Sequence, residues 1–406
     1  MSYEIDAKRL GVGVEVYNQE KAYKGYTLYS PMYDGNAWLI DMEGRVVHNW
    51  KMKNPPGVYG KLIPNGNLMW MDRGPDANEA LDGGASALIE LDWDGNEVWR
   101  YDDTGLNHDF IYLPNGNIMI MRFVFLPDDI RKKIKVGLPG SELPDKRMYS
   151  NNLQEITRDG KVVWEWNHWE HFDPDEHVEC PLVNRMIYGY TNSLDVFPNG
   201  DVLLSIRHLN TVARISRSTG KVIWSWGPEH LLGHQHSVSV LEGGNILIFD
   251  NGLHRNPPLV TDEAHREISE AELSRVVEVD PESNEIVWEY YDPTGQFYTP
   301  YCGSAERLPN GNTLICESIK GIFFEVTPDK EVVWKYYQPF AIPRPSWLGW
   351  TISYMIFQIR RYGEDFEGFK GKNLDPSNYG LRYQKVDLEQ KEEAQKIMER
   401  LAKAGY

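Results

Sequence analysis

The 406-residue chain carries 42 Lys and Arg against 60 Asp and Glu, a formal charge of −18, and has an isoelectric point near 5.1. That balance argues against nucleic acid and anionic membrane surfaces as partners, because both need a concentrated basic face. With 41% hydrophobic residues, 14 Trp and 23 Tyr, the chain can bury a large core and does not read as disordered.

The first ten residues, MSYEIDAKRL, place charges where a signal peptide needs an apolar stretch, so export is not expected. The longest hydrophobic stretch, Trp347 to Phe357, contains polar residues and is far too short to span a bilayer, so no membrane span is expected. Cys180, Cys302 and Cys316 are odd in number and lack CxxC spacing. Neither a disulfide framework nor a zinc ribbon is indicated, and a cytoplasmic location is expected.

Two phrases recur along the chain. One is a turn followed by β-branched and aromatic positions: EGRVVHNW (43–50), DGNEVWRY (94–101), DGKVVWEW (159–166), TGKVIWSW (219–226), SNEIVWEY (283–290) and DKEVVWKY (329–336). The other sets a turn before an apolar strand: IPNGNLMWM (63–71), LPNGNIMIM (113–121), FPNGDVLLSI (197–206), LEGGNILIF (241–249) and LPNGNTLIC (308–316). Pro sets φ at the first turn position and Asn-Gly tolerates positive φ, so each PNG predicts a tight hairpin. A third short strand follows, as in ALIELD (87–92), TVARIS (211–216) and GIFFEV (321–326), and the Trp phrase supplies a fourth. Units of four antiparallel strands predict an all-β fold, a six-bladed β-propeller over residues 1–339. The repeated Trp residues are expected to pack between blades.

The first unit has GYTLYS, NAWLID and RVVHNW but no PNG strand before them, and the N-terminal GVGVEVYN (11–18) is the expected source of its innermost strand. After Pro339 the pattern stops. Residues 340–406 are expected to form an irregular extension packed on the propeller, with a short charged helix from Asp387 to Ala404.

In such a fold the first strand of each blade lines the central channel. Aligning the five turns brings Val58, His108, Asn192, His236 and Gly303 to equivalent positions. The second strands return Asp72-Arg73, Arg122-Phe123, Arg207-His208, Asp250-Asn251 and Glu317-Ser318 to the same mouth. A ring of His, Arg and Asn in an acidic protein predicts a pocket for a small anion, since Arg grips oxyanions through a planar fork. The loop NHWEHFDPDEHVE (167–179) offers ligand types without regular metal-binding spacing, and it reads as a solvated insertion whose His171 or Asp173 buttresses the mouth. No metal or other cofactor is expected. TGK at 219–221 lacks the rest of a phosphate loop, so Lys221 reads as a turn residue.

The stretch YTNSLDVFPNGDVLLSIRHLNTVARISRSTGKVIWSWG, followed by HQHSVSVLEGGNILIFDNG, resembles the arylsulfate sulfotransferase family of six-bladed propellers. NHDFIYLPNGN (107–117) and IFQIRRYGEDFEGF (356–369) are similar to it as well, and the resemblance covers residues 25–370. It implies transfer of a sulfuryl group from a phenolic sulfate to another phenol through a sulfated histidine, without a nucleotide donor. By resemblance His236 is the nucleophile, Arg207 a sulfate clamp, His108 an acid/base or oxyanion contact and Asn192 a polar ligand, while Ser304 stands where the family uses a hydroxyl. Arg122, Asn251 and His208 join them as expected substrate contacts from strand phase. Exported members carry a histidine two residues before the Asn, where this chain has Tyr190, which places a tyrosine among the expected catalytic groups. Their signal peptide and N-terminal β-domain have no counterpart here, which points to a cytoplasmic branch.

The expected substrate is a small aromatic or anionic molecule, and a homo-oligomer is compatible with the sequence. Two other readings stand beside sulfuryl transfer. One is hydrolysis or lyase-type elimination on a small anion in the same pocket, with or without a metal. The other is a binding propeller with no turnover.

Overall fold

The computed structural model describes residues 13–78, 83–227, 231–255, 273–340, 342–346 and 349–379. They form a six-bladed β-propeller of four-stranded antiparallel sheets, and the only α-helix among the described residues is the single turn Asp128–Arg131. The chain divides into two compact units: one holds the residues up to Trp70, Ile89–Trp99 and those from Glu306 on, the other Met71–Leu88 and Arg100–Ala305. The second sheet, Pro56–Leu62, Leu68–Asp72, Ala87–Leu91 and Glu97–Asp102, is shared out between them.

The unit that includes Arg100–Ala305 contains the third, fourth and fifth blades. Their innermost strands are Leu106–Tyr112, Thr191–Val196 and His236–Val240. Each passes through its Pro-Asn-Gly or Glu-Gly-Gly turn into a second strand: Ile118–Phe125, Val202–Ile206 and Ile246–Asp250. The turns close alike, with Leu113, Phe197 and Leu241 donating their backbone N–H to Asn117, Asp201 and Asn245. Gly116, Gly200 and Gly244 sit at φ of 84°, 88° and 96°, a region that costs an L side chain strain and glycine nothing.

Adjacent blades of this unit are stitched by side chains. Asp109 accepts from the Leu194 backbone N–H at 3.1 Å, and Asp195 accepts from Val240 at 2.8 Å. Between them lie apolar layers such as Met119, Met121, Leu153, Leu194, Val202 and Leu204, all but sealed from solvent. Each such side chain contributes roughly 1.5–3 kcal/mol on burial. The repeated tryptophans act here as expected. Trp166 donates its indole N–H to the Gly220 carbonyl at 2.9 Å and Trp226 to Asn284 at 3.1 Å, so each ties one blade to a turn of the next. Lys221, expected in the turn, lies just beyond it, its N–H on the Thr219 hydroxyl at 3.3 Å.

The other unit contains the first blade and most of the sixth. Trp50 and Trp334 make the same kind of bond, to the carbonyls of Asp92 and Met42 at 2.9 and 2.8 Å. Here one expectation is corrected. The innermost strand of the first sheet is Ile356–Gly363, paired antiparallel with Gly25–Pro31, and not the N-terminal segment. Gly13–Tyr17 instead pairs with Val332–Tyr337 as a fifth, outer strand of the sixth sheet. The reason is burial. An innermost strand is covered on both faces, and Ile356–Gly363 suits that: Ile356, Phe357 and Ile359 are buried, and Arg361 meets Thr27, the Tyr23 carbonyl and Glu325. Gly13–Tyr17 is half-exposed throughout, and Glu15 protects the open edge through Lys335 at 2.9 Å. The stretch after Pro339 thus contributes a blade strand. The helix expected at Asp387–Ala404 lies outside the described residues.

Candidate active site

The inner ends of the third, fourth and fifth blades depart from regular strand geometry at equivalent places. Opposite the second strands, pairing skips His108 and Asp109 in the third blade, Asn192 in the fourth and Ser237 in the fifth. These are β-bulges, which re-aim side chains. His108, Tyr190, His234, Ser237 and Cys302 all hold positive φ, between 44° and 57°. Such strain in non-glycine residues concentrates at functional sites. Room for His108 comes from Gly83, at φ +83°, where a Cβ would fall 2.3 Å from the imidazole Cε1.

His236 is 3% exposed, and its Nδ1 lies 2.7 Å from Asn251 Oδ1. The amide of Asn251 is fixed independently, because its Nδ2 donates to the carbonyls of Thr299 and Cys302, each at 2.7 Å. Its oxygen can therefore only accept, so Nδ1 of His236 carries the proton and Nε2 bears the lone pair. His108 repeats the arrangement with its neighbour: Nδ1 bonds Asn107 Oδ1, whose Nδ2 donates to the Thr191 carbonyl at 3.4 Å. Burial, reinforced by the charge of Arg207, pushes both imidazoles down to a pKa of about 3. Both are neutral at physiological pH.

Arg207 follows the strand Val202–Ile206, its backbone N–H bonded to the Tyr190 carbonyl at 3.1 Å. Among the described residues its guanidinium has no carboxylate partner. It instead lies 5.6 Å from the ring centre of Tyr190 and 6.0 Å from that of Tyr301. Burial works against its positive charge, and the nearby tyrosines and thiols support it. Tyr190 meets His108 edge-on at 5.0 Å and stacks on His208 at 4.9 Å. Asn192 donates to the Gln235 carbonyl at 2.9 Å, while Asn192 Oδ1 and Gln235 Oε1 are buried acceptors with no partner among the described residues. Among the described residues, a cation without a carboxylate partner, two neutral bases and aromatic faces make a group of side chains suited to an aromatic anion.

The structure thus gathers His108, Tyr190, Arg207, His236 and Asn251, with Asn192 alongside. Arg122 is placed differently: it grips Asp103 through Nε and Nη2, so its fork is already engaged. His208 is fully buried behind Tyr190, with Nδ1 shared between Glu179 Oε1 and the Ile187 carbonyl at 3.2 and 3.3 Å. Ser304 is buried at the start of the strand Ser304–Arg307. In the loop 167–179, Asp173 pairs with Lys133 at 2.6 Å and Asp175 with Lys135 at 3.4 Å, while His171 stacks on Trp166. The loop helps line a separate cleft of about 200 Å³. Asn107, Gln235, Thr299 and Tyr301 escaped the sequence reading. Of these, Asn107 and Gln235 adjoin the two predicted histidines, and that adjacency was the available signal.

Among curated proteins none matches the sequence. Solved structures share the fold. A protein of unknown function from Bacteroides caccae is 14% identical with a TM-score of 0.52, the match covering 83% of this chain and 98% of that one. Streptogramin B lyase is 11% identical with a TM-score of 0.45, covering 86% and 93%. Virginiamycin B lyase from Staphylococcus aureus with quinupristin is 11% identical with a TM-score of 0.44, covering 85% and 97%. The arylsulfotransferase (ASST) family model matches residues 65–338, more than half of the sequence, and the chain belongs to that family.

Proposed function

We propose that the protein transfers a sulfuryl group from an aryl sulfate to a phenolic acceptor without a nucleotide donor, through a sulfated His236. The observation that carries this reading is the half-buried Arg207 guanidinium with no carboxylate partner among the described residues, its charge felt by two neutral imidazoles.

In the first half-reaction Nε2 of His236 attacks sulfur, the N–S bond forms and the S–O(aryl) bond breaks, and the electron pair leaves on the phenolate. Arg207 neutralises the sulfuryl oxygens through its fork, and Tyr190 supplies a proton to the departing oxygen. Asn251 keeps the proton on Nδ1, so the nucleophilic nitrogen stays Nε2 throughout. In the second half-reaction the acceptor phenol gives its proton to Nε2 of His108 or to the phenolate form of Tyr190. Its oxygen then attacks sulfur, and His236 leaves neutral. Tyr301, half-exposed, presents an aromatic face for the aryl ring. Three free thiols, Cys180, Cys302 and Cys316, favour a reducing, cytoplasmic setting.

Tyr190, where exported relatives have histidine, favours a second reading: hydrolysis or elimination on a small anion in the same pocket. One experiment separates the two. With p-nitrophenyl sulfate, nitrophenol release by the wild type must rise with added phenol and vanish in His236→Ala. Release that ignores phenol supports the second reading.

A further inference from the structure

Beside Arg207, three chain segments bring metal-ligating atoms together. Cys180 is anchored by its backbone N–H on the His208 carbonyl at 3.0 Å, and His234 by its own on Asn210 Oδ1 at 2.8 Å. His254 follows Asp250–Asn251–Gly252, and the neighbouring Arg255 is tied to Asp250 at 2.6 Å. The ligating atoms of Cys180, His234 and His254 all lie within 4.8 Å of one another, the one such group among the described residues.

Two of the spacings are diagnostic. Nδ1 of His254 is 3.3 Å from Nε2 of His234 and 3.6 Å from Sγ of Cys180. For zinc at ~2.0–2.1 Å from nitrogen and ~2.3 Å from sulfur, the edges of a tetrahedron are ~3.3–3.4 Å for N···N and ~3.5–3.6 Å for S···N. We propose that Cys180, His234 and His254 form a three-ligand site for a borderline-soft divalent cation, zinc by its donor set, with a fourth position open. One thiolate and two imidazoles are ligands that zinc takes readily and that magnesium and calcium do not.

His234 is 1% exposed and its Nδ1 has no partner among the described residues, so the ring is sealed in place with its other nitrogen aimed at the cluster. The charge of Arg207 acts on both Cys180 and His234. A divalent ion on one thiolate keeps a net charge of +1, which would deepen the positive potential that favours an anion beside it. This inference is independent of the sulfuryl-transfer reading, because it concerns binding alone.

The test uses the full-length protein, stripped with a chelator at neutral pH. Zinc is then titrated against a chromophoric chelator, and cobalt is added in a parallel sample. We expect one equivalent per chain and a cobalt spectrum with intense tetrahedral d–d bands and a thiolate charge-transfer band. One equivalent of zinc should protect Cys180 from alkylation, mapped by peptide mass. Cys180→Ser should abolish the charge-transfer band, and His254→Gln should weaken binding at least 10-fold, the loss that even an outer-shell partner of a ligand causes. Sub-stoichiometric uptake, or a wild-type cobalt spectrum without the thiolate band, overturns the proposal and leaves a cluster of S–H and N–H hydrogen bonds. Unchanged affinity in both variants overturns it equally. Should the variants fail to fold, the wild-type spectrum and alkylation protection decide alone.

Discussion

Replacing Asn251 by Ala tests how the nucleophile is prepared. The change removes the acceptor for His236 Nδ1 and the donor to the Cys302 carbonyl, while the Thr299 carbonyl keeps a bond from Ser274 at 3.3 Å. Two buried polar groups lose their partner, at about 1–3 kcal/mol each, so unfolding free energy should fall by about 2–6 kcal/mol. The kinetic effect is separate. Without the Asn251 oxygen to hold its proton on Nδ1, His236 can carry it on Nε2, which abolishes the lone pair that attacks sulfur. By analogy with other tautomer-fixing residues, kcat should fall by about 10²–10⁴-fold. Asn251→Asp restores an acceptor, so it should recover much of kcat. Its carboxylate also favours imidazolium, so His236 titrates above its present value of about 3 and activity falls as pH drops through the new pKa. The assay is aryl sulfate turnover against pH, alongside ¹⁵N NMR of the His236 ring. A folded Asn251→Ala protein with undiminished kcat would show that Asn251 does not set the His236 tautomer.

Arg207→Lys keeps the charge but loses the fork, and kcat/KM for an aryl sulfate should fall at least about 10-fold, or ~1.4 kcal/mol. Tyr190→Phe should lower kcat about 10²-fold with KM little changed if the hydroxyl protonates the leaving group; full activity would pass that role to water. Gly83→Ala should cost about 1–3 kcal/mol of stability through strain and also lower kcat by displacing His108. Gly95→Ala, at φ +84° with nothing within 4 Å, supplies the strain alone and should leave kcat intact. Burial holds His48 at about 4 and His108, His168 and His236 at about 3, against 6.5 when unfolded. Below pH 6.5 the unfolded chain takes up protons that the folded chain refuses, so stability is full above pH 6.5 and is lost as pH falls toward 3–4. Each residue contributes about 1.4 kcal/mol per pH unit, or ~2 kcal/mol at pH 5. Denaturant titrations at pH 7, 6 and 5 should show that slope, and His168→Gln should flatten it by one residue's share.

The blade repeat was legible because its grammar is local. A Pro-Asn-Gly turn encodes its own φ angles, and a Trp such as Trp166 or Trp226 recurs at a fixed distance from the strand it ties down. The phase of those turns also placed His108, Asn192 and His236 together, since the bulges fall at the same inner end of each blade. What escaped depends on distant partners. Whether Arg122 is available to substrate turns on Asp103, 19 residues earlier, and nothing near either residue announces that pair. The inner strand of the first blade lies more than 300 residues from the strand it joins, and its two-sided burial is visible only once Arg361 is seen to have partners. Cys180 and His254, 74 residues apart, meet only through the folded backbone.

A covalent intermediate on one nitrogen of His236 is read most directly from intact mass after rapid mixing with an aryl sulfate in the absence of acceptor. A gain of one SO₃ group per chain is expected, stable in base, mapped to the peptide containing His236, lost on adding phenol and missing in His236→Ala. Turnover to phenol with no such adduct on any time scale of the reaction, or an adduct on another residue, would contradict it.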